Sequence, residues 1–273
     1  MGAGENKIGI LGCGWLGFPL GKSLLEKGYQ VNGSTTSENK LAELGAAGIE
    51  PFLIKVLPEE VIGDVSGFLD DYNTLIIDFP PGIRNHSASD YISSIKGLID
   101  ELRASSIKNV LFISSISVYE DADSIPVYRD PDSPNATSER GKALAVVEDL
   151  LRAEKSFKTT ILRLGGLIGP GRHPINQLAG RQGIANGEAP VNLIHLEDCI
   201  GIIMKILFVK SFGGTFNAVF PDHPSKEQYY QKIAKQKGLA MPGFEKNGSK
   251  GKIIDSTNIQ DLLDYQFTGN IFR

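Results

Sequence analysis

Three glycines near the start of the chain have the spacing G-x-G-x-x-G, within the stretch Ile8 to Gly17, IGILGCGWLG. An apolar run suited to a strand precedes them and an apolar helical pattern follows, so the order is strand, tight turn, helix. Gly12 would allow the turn, Gly14 would let the backbone approach a phosphate, and Gly17 would let the helix pack closely on the strand.

Phosphates would rest on the unpaired N–H groups at the positive end of the helix that begins near Trp15. The spacing therefore predicts a pyrophosphate site of a bound dinucleotide, in preference to a glycine-rich turn without a ligand. The residues predicted to form it are Gly12, Cys13, Gly14, Trp15, Leu16 and Gly17.

The second predicted strand ends in a polar run where an NAD-binding unit usually carries an acid. That acid binds the ribose hydroxyls and lies about twenty positions after the first glycine. Here the place is taken by Ser34, Thr35 and Thr36; the first acid, Glu38, comes later, and Lys40 is the nearest cation. Hydroxyls can donate to a 2′-phosphate, so the run favours NADP over NAD. The alternative is that Ser37, at the end of the run, only caps the helix that follows.

A second turn follows the apolar run Thr74 to Asp78, TLIID, which is typical of a central parallel strand buried on both faces. The run ends in Phe79, Pro80 and Pro81, which stop the strand and fix an extended exit. Because the carboxyl ends of such strands point into the ligand crevice, we expect this turn to line the cofactor. The alternative is a plain strand terminator.

Strands and helices alternate regularly along the chain, which predicts an α/β fold with a doubly wound parallel sheet. Residues 165–190 are rich in glycine and proline, which indicates an irregular segment that faces the substrate. The predicted strands after the first are 29–34, 50–56, 74–78, 109–113, 159–164, 191–195 and 214–220. The predicted helices after the first are 38–47, 88–105, 137–155, 196–209, 225–238 and 257–264.

The composition and charge of the chain limit the classes of protein to which it can belong. The chain has 273 residues, a formal net charge of −4 and two cysteines. Without a concentrated basic surface, nucleic acid is not an expected partner. There is no apolar run long enough to span a bilayer and no apolar core of a signal peptide, so we expect a cytoplasmic protein with no membrane partner. Cys13 and Cys199 lie in apolar patterns, which indicates neither a disulfide framework nor a metal site.

Five stretches in this order resemble the extended short-chain dehydrogenase/reductase superfamily, in its NAD-dependent epimerase/dehydratase branch. They are ILGCGWLG, SSISVY, LRLGGLIGPGRHP, IHLED and NIQDLLDYQF. The resemblance implies a Rossmann-type nucleotide-binding lobe and a smaller C-terminal α/β substrate lobe, and often a homodimer through the helices at 88–105 and 137–155. We assign 1–164, completed by 191–220, to the NAD(P)-binding lobe, and 165–190 with 221–273 to the substrate lobe.

The same resemblance implies catalytic residues. The family uses a Ser or Thr after the fifth strand, matched by Ser115, and a YxxxK pair on the next helix, whose lysine holds the nicotinamide ribose and is matched by Lys142. Ser138 stands where the tyrosine should be. An aliphatic hydroxyl is far less acidic than a phenol, whose pKa is about 10, so Ser138 is a poor proton carrier. Ser114 and Gly165, in the matching turns, are expected to contact the cofactor.

Other polar groups lie on segments expected near the crevice. A proton carrier could come from Tyr119, Tyr128, His86 and His173. Arg84 and Arg172 could hold an anionic substrate bidentately. For each of these residues the alternative is a solvated loop side chain. We select Tyr119 as the replacement proton carrier, and Arg84, His86, Arg172 and His173 as substrate residues.

Two functions follow from these residues. The first is an NAD(P)-dependent oxidoreductase or epimerase that acts on a small polar molecule such as a nucleotide sugar. The second is an NADP(H)-binding redox sensor or regulatory protein without turnover, which the missing tyrosine favours. The glycine turn is common to both, because function resides in the site rather than in the fold.

Overall fold

The computed structural model describes residues 6–81, 87–246 and 249–272. Within these ranges the strands are β1 (Lys7–Leu11), β2 (Gln30–Thr35), β3 (Glu50–Leu53), β4 (Lys55–Val56), β5 (Val61–Ile62), β6 (Thr74–Ile77), β7 (Asn109–Ser115), β8 (Val127–Tyr128), β9 (Lys158–Leu164), β10 (Gly166–Ile168), β11 (Leu193–His195), β12 (Thr215–Ala218) and β13 (Ile253–Ile254). The α-helices are α1 (Gly17–Glu26), α2 (Leu41–Ala46), α3 (Val65–Leu69), α4 (Ala88–Arg103), α5 (Glu139–Ala153), α6 (Ile175–Leu178), α7 (Leu196–Val209), α8 (Lys226–Gln236) and α9 (Thr257–Leu263).

Seven strands form one parallel sheet in the order β12-β9-β7-β6-β1-β2-β3. The chain adds β2 and β3 on one side of β1 and then returns to add β6, β7, β9 and β12 on the other. The predicted doubly wound sheet is therefore confirmed. In such sheets the ligand crevice lies where the strand order reverses, outside the carboxyl ends of the strands, which here is between β1 and β6.

The central strand β6 shows how the two faces of the sheet are covered. Leu75, Ile76 and Ile77 are fully buried. Successive side chains of a strand point to opposite faces, and accordingly Leu75 and Ile77 pack in one hydrophobic core while Ile76 packs in the other. The continuous apolar run is thus explained by helices on both sides of a parallel sheet.

Several boundaries differ from the sequence prediction. The strand predicted at 50–56 divides, because β4 leaves the parallel sheet and pairs antiparallel with β5. The helix predicted at 38–47 begins as a 3₁₀ turn at Glu38–Lys40. Helix α5 begins at Glu139, and Ser138 is its N-cap, accepting a hydrogen bond from the Gly141 N–H at 3.2 Å, as expected for a serine at a helix start.

A smaller lobe has its own apolar core, formed by residues of β10, β11, α6 and α8 together with Ile271. Strand β11 pairs with β10, while its Ile194 packs in the same core as Ile8 and Ile10 of the large sheet. The lobe boundaries stay a prediction. Helix α9 packs on α7 and β12, which brings part of 221–273 against the large sheet. None of the helices in the described ranges is long and apolar enough to cross a bilayer.

Candidate functional site

A crevice of about 700 Å³ lies at the carboxyl ends of β1, β6 and β7, at the reversal of strand order. The structure brings most of the sequence-predicted site residues to this crevice. Those that line it are Gly12, Cys13, Gly14, Trp15, Leu16, Ser34, Thr35, Thr36, Phe79, Pro80, Pro81, Ser114, Ser115, Gly165 and Arg172. Because these residues come from six separate segments, their convergence is a property of the fold rather than of any one motif.

The three glycines of the turn have three different environments. Gly12 has a φ of +107°, and a Cβ there would lie 2.3 Å from the Asp78 carbonyl oxygen. A Cβ on Gly17 would lie 2.2 Å from the Gly12 carbonyl oxygen, so this glycine packs the helix start against the turn and does not itself line the crevice. Gly14 has no neighbouring atom within 4 Å of a Cβ position. The open space at Gly14 is where a ligand could approach the backbone.

The hydroxyls at the end of β2 are used in different ways. The Ser34 hydroxyl accepts a hydrogen bond from the Gly12 N–H at 2.9 Å, and the Thr35 hydroxyl accepts one from the Ser37 N–H at 3.2 Å. Both side chains are buried, whereas Thr36 and Lys40 are exposed and line the crevice. Ser37 stands at the N-cap position of the 3₁₀ turn that follows, but its side chain makes no capping hydrogen bond there.

Tyr119 lies in the core and not in the crevice, so its predicted role as proton carrier does not fit the structure. Its hydroxyl bonds to the Asn217 side chain and the Arg129 carbonyl oxygen, and accepts from Arg163. Burial raises the pKa of Tyr119, whereas a proton carrier needs a pKa near the working pH. The tyrosine ring also stacks on Tyr128, with the centroids 4.5 Å apart.

A buried ion pair explains why Tyr119 is held there. The Arg163 guanidinium donates to the Glu148 carboxylate at 2.6 Å, with both side chains almost fully buried. Buried charges require complete hydrogen bonding, and Tyr119 supplies one partner of Arg163. The Ser114 hydroxyl donates to the Glu148 carboxylate at 2.7 Å, so the proton of this hydroxyl already has a partner within the protein. Ser115 does line the crevice, and its hydroxyl accepts from the Ser117 N–H at 3.2 Å, which leaves its own proton free to donate.

Lys142 does not lie where the sequence analysis expects it. It is exposed and does not line the crevice, whereas Arg140 and Leu144 of the same helix do. Residues two apart on an α-helix point about 200° apart, so Lys142 faces outward when Arg140 faces inward. On the face of this helix that borders the crevice, Arg140 and Leu144 are the residues four positions apart. Neither is the tyrosine or the lysine of the YxxxK pair.

His173 lies in the core of the smaller lobe and does not line the crevice, which contradicts its predicted contact with substrate. Its Nδ1 accepts from the Ile175 N–H at 3.1 Å, so the Nε2 proton faces the Tyr229 hydroxyl at 3.0 Å. Burial lowers the pKa of His173 to about 4, with Lys237 acting in the same direction. Arg84 and His86 lie outside the described residues.

Three charged residues that line the crevice were not considered in the sequence analysis. Asp78 follows the end of β6, and burial raises its pKa to about 6, opposed by hydrogen bonding to the Gly17 N–H and by the charge of Arg172. Lys252 reaches the crevice from the C-terminal part of the chain, and its Nζ donates to the Tyr119 carbonyl oxygen at 2.5 Å and lies 3.2 Å from Asp121. The third is Arg140. Only Asp78 had a local signal, as the last residue of an apolar run.

The crevice is cationic although the chain carries a net negative charge. Among the described residues that line it, Asp78 is the one acid and Lys40, Arg140, Arg172 and Lys252 are the cations. A cleft lined mainly by one sign of charge concentrates ligands of the other sign. The arrangement therefore suits a ligand that carries phosphate or carboxylate groups.

Comparison with known proteins supports the family resemblance. Protein YeeZ of Escherichia coli (strain K12) is 36% identical over 265 residues, which cover 96% of both chains. A functionally unknown conserved protein from Silicibacter pomeroyi DSS superposes with a TM-score of 0.80 at 21% identity, covering 98% of this chain and 95% of that one. UDP-glucuronic acid 4-epimerase from Bacillus cereus, solved with UDP-glucuronic acid and NAD, superposes with a TM-score of 0.78 at 19% identity, covering 97% and 95%. No protein-family model matches the chain.

Proposed function

The chain belongs to the same family as protein YeeZ and is an atypical member of the extended short-chain dehydrogenase/reductase superfamily, NAD-dependent epimerase/dehydratase-like; from this premise we propose that its crevice binds a nicotinamide dinucleotide. The observation that carries the proposal is the glycine turn. Its middle glycine, Gly14, faces open space in the crevice at the start of α1. The N–H groups of Gly12, Cys13 and Gly14 bond within the protein. A pyrophosphate there would meet the N–H groups of Trp15 and Leu16, which have no partner among the described residues, and the positive end of the helix dipole.

We propose NADP as the preferred cofactor. The end of β2 carries no acid to bind the ribose hydroxyls of NAD. The exposed groups at this end of the crevice are the Thr36 hydroxyl and the Lys40 ammonium. Both can donate to a 2′-phosphate, and the lysine adds an opposite charge.

We propose that the protein is an oxidoreductase or epimerase that acts on a small polar substrate, such as a nucleotide sugar. A nicotinamide supplies hydride chemistry when it is bound. The Ser115 hydroxyl, which still has its proton to donate, would hydrogen-bond a substrate carbonyl or hydroxyl. The cationic lining favours an anionic substrate. The solved UDP-glucuronic acid 4-epimerase carries a sugar nucleotide of this kind.

A non-catalytic NADP(H)-binding sensor or regulatory protein is the second candidate. It is favoured by the placement of Tyr119 in the core and of Lys142 on the outer face of α5. In their absence, Arg140 and Leu144 occupy the helix face that borders the crevice. An arginine does not lose its proton in proteins, and a leucine carries none to exchange.

Cofactor binding is tested by thermal unfolding of the purified protein with NADPH, NADH or AMP. A ligand at 100 times its dissociation constant adds about 2.7 kcal/mol of stability, so NADPH should raise the melting temperature by several degrees. We expect a smaller shift with NADH and little with AMP. If neither dinucleotide shifts the transition at millimolar concentration, the proposed function is wrong. A larger shift with NADH than with NADPH would refute the NADP preference alone.

Turnover is tested with a panel of UDP-sugars and small carbonyl compounds in the presence of the cofactor that stabilises more. We expect Ser115→Ala to lower kcat at least about 100-fold, the usual cost of removing a donor to a developing oxyanion. Lys142→Ala is the matched control, because its side chain faces away from the crevice, and should leave kcat unchanged. Binding without turnover of any panel member would favour the sensor. Loss of activity in Lys142→Ala would restore its family role.

A further inference from the structure

Trp15 of the glycine turn contacts the irregular segment at 165–190, which leads into the smaller lobe. The Arg172 guanidinium lies over the Trp15 ring, with its central carbon 5.0 Å from the ring centroid. The indole Nε1–H donates to the Pro170 carbonyl oxygen at 3.1 Å. One residue of the predicted phosphate-binding turn is thus joined to the other lobe by both a cation–π contact and a hydrogen bond.

A tight turn holds Arg172 in this place. The Gly169 N–H donates to the Arg172 carbonyl oxygen at 2.9 Å, and the Arg172 N–H donates to the Gly169 carbonyl oxygen at 3.0 Å. Gly171, between them, has a φ of +69°, which glycine adopts without strain. Gly169 has a φ of +155°, and a Cβ there would lie 3.1 Å from the Trp15 ring, so a side chain at this position would crowd the indole. The arginine is therefore positioned by its backbone as well as by the ring.

The charge of Arg172 has no carboxylate partner within ion-pair distance among the described residues, and the side chain is exposed in the crevice. Stacking uses the face of the guanidinium and leaves the N–H groups at its edge free to donate. An edge with several parallel N–H groups matches the oxygens of a phosphate. The Trp15 ring thus holds a phosphate-binding group beside the glycine turn, and both line the crevice.

We propose, on the basis of the proposed function above, that Arg172 binds the pyrophosphate of the dinucleotide and so links bound cofactor to the smaller lobe. This assigns Arg172 to the cofactor, whereas the sequence had suggested the substrate. We favour the pyrophosphate as the ligand of Arg172 because the guanidinium is stacked on Trp15, a residue of the predicted phosphate-binding turn itself. A phosphate of the substrate has the same chemistry and is the alternative source that the experiment must separate.

The test is calorimetric titration of the wild-type protein and Arg172→Gln with three ligands that isolate the pyrophosphate. NADPH and ADP-ribose both contain it, and AMP does not. We expect Arg172→Gln to bind NADPH and ADP-ribose about 10- to 100-fold more weakly, as for the loss of hydrogen bonds to a charged group, and to bind AMP as the wild type does. Arg172→Lys keeps the charge but loses the planar guanidinium. Its affinity for NADPH and ADP-ribose should lie between those of the wild type and Arg172→Gln.

Arg181→Gln is the matched control, because this exposed arginine lies on the same segment but does not line the crevice. Its affinities should equal those of the wild type. The single tryptophan of the chain is Trp15, so its fluorescence in Arg172→Gln reports directly on the lost stack, and a urea titration shows that the variant is folded.

The outcomes separate this inference from the proposed function. If the wild type binds neither NADPH nor NADH, both are wrong. If the wild type binds NADPH and folded Arg172→Gln binds it equally well, only the role of Arg172 is wrong. If Arg172→Gln keeps its affinity for NADPH but loses affinity for UDP-glucuronic acid, the arginine serves the substrate and the inference is overturned.

Discussion

Several polar side chains that the sequence predicts for the crevice form hydrogen bonds with the protein's own backbone and buried charges instead of remaining available to a ligand. The Ser34 hydroxyl holds the glycine turn, the Ser114 hydroxyl bonds to Glu148, and the Tyr119 hydroxyl bonds to Arg163. A buried polar group without a partner is costly, so such demands decide which hydroxyls remain available. Ser115 still has its proton to donate toward the crevice, and this is why the proposed chemistry depends on it.

His173 is a titratable residue whose ring nitrogens likewise form their hydrogen bonds within the protein. Its Nδ1 accepts from a backbone N–H and its Nε2 faces Tyr229, which in turn donates to the Ile271 carbonyl oxygen at 2.7 Å. The neutral imidazole satisfies this arrangement. Protonation of Nδ1 would place a second donor against the Ile175 N–H, which is consistent with the lowered pKa of His173.

We predict that His173 destabilises the fold in acid. Its pKa of about 4 in the folded protein lies below the unfolded value of 6.5, so the unfolded chain binds the proton more tightly. The contribution of the neutral His173 to the free energy of unfolding is fully present above pH 6.5 and is lost as the pH falls toward 4. Between pH 7 and pH 4.5 the wild type should lose about 2–3 kcal/mol more than His173→Gln, measured by urea unfolding at each pH.

Glutamine can keep both hydrogen bonds and does not titrate, so the difference between the two proteins isolates His173. Asp78, whose raised pKa acts in the opposite direction, is present in both and cancels. Equal loss of stability in the two proteins would mean that His173 does not carry the effect.

At the scale of elements, helix α1 and the turn before it form one unit. The turn needs a left-handed residue at Gly12, and the helix start can approach the turn only because Gly17 has no side chain. Gly14 differs, because nothing in the protein occupies its Cβ position. The same three-glycine motif thus contains two positions required by the fold and one that is free for a ligand.

We predict that alanine substitutions will separate these two uses. Gly17→Ala would place a methyl group 2.2 Å from the Gly12 carbonyl oxygen and should cost about 2 kcal/mol or more of folding free energy. Gly14→Ala should leave the free energy of unfolding, measured by urea titration, within about 0.5 kcal/mol of the wild-type value. It should weaken NADPH binding at least about tenfold, since the methyl group would stand between backbone and phosphate. Undiminished affinity in Gly14→Ala would place the pyrophosphate elsewhere.

Helix α5 carries two functionally different faces. One borders the crevice through Arg140 and Leu144, and the other is exposed through Lys142 and Val146. The spacing of four residues recurs on both faces, as it must on an α-helix. A sequence motif of four-residue spacing therefore fits either face, and only the packing of α5 against β7 and α4 selects one.

At the scale of the whole molecule, the homodimer through the helices at 88–105 and 137–155 stays a prediction. Helices α4 and α5 pack side by side, and Val146, 42% exposed, lies on their outer surface. An apolar side chain exposed there would be buried by a second copy of the same surface.

We predict a dimer by light scattering at micromolar concentration and a folded monomer for Val146→Glu, because a charge buried in the interface without a partner is costly. Leu262→Glu is the control, since Leu262 is 65% exposed on α9. A monomeric wild type, or a Val146→Glu variant that still dimerises, would rule out this interface.

The sequence by itself determined the features that depend on local spacing. The strand, the three-glycine turn and the helix that follows are read from neighbouring residues, and the alternation of apolar runs fixed the doubly wound sheet. The polar run after β2 and the Phe79 to Pro81 turn could be placed at the crevice because parallel strands end at the same edge. These predictions required only periodicity and the topology of a parallel sheet.

Only the tertiary structure decided which polar side chains reach the crevice. Tyr119 is buried beside Arg163, 44 residues away along the chain. His173 is buried in the smaller lobe beside Tyr229, 56 residues away. Lys252 was brought in over a separation of 133 residues from Tyr119. The physical reason is that buried charges and hydroxyls must find partners wherever the packing provides them, and no local pattern records which partner that is.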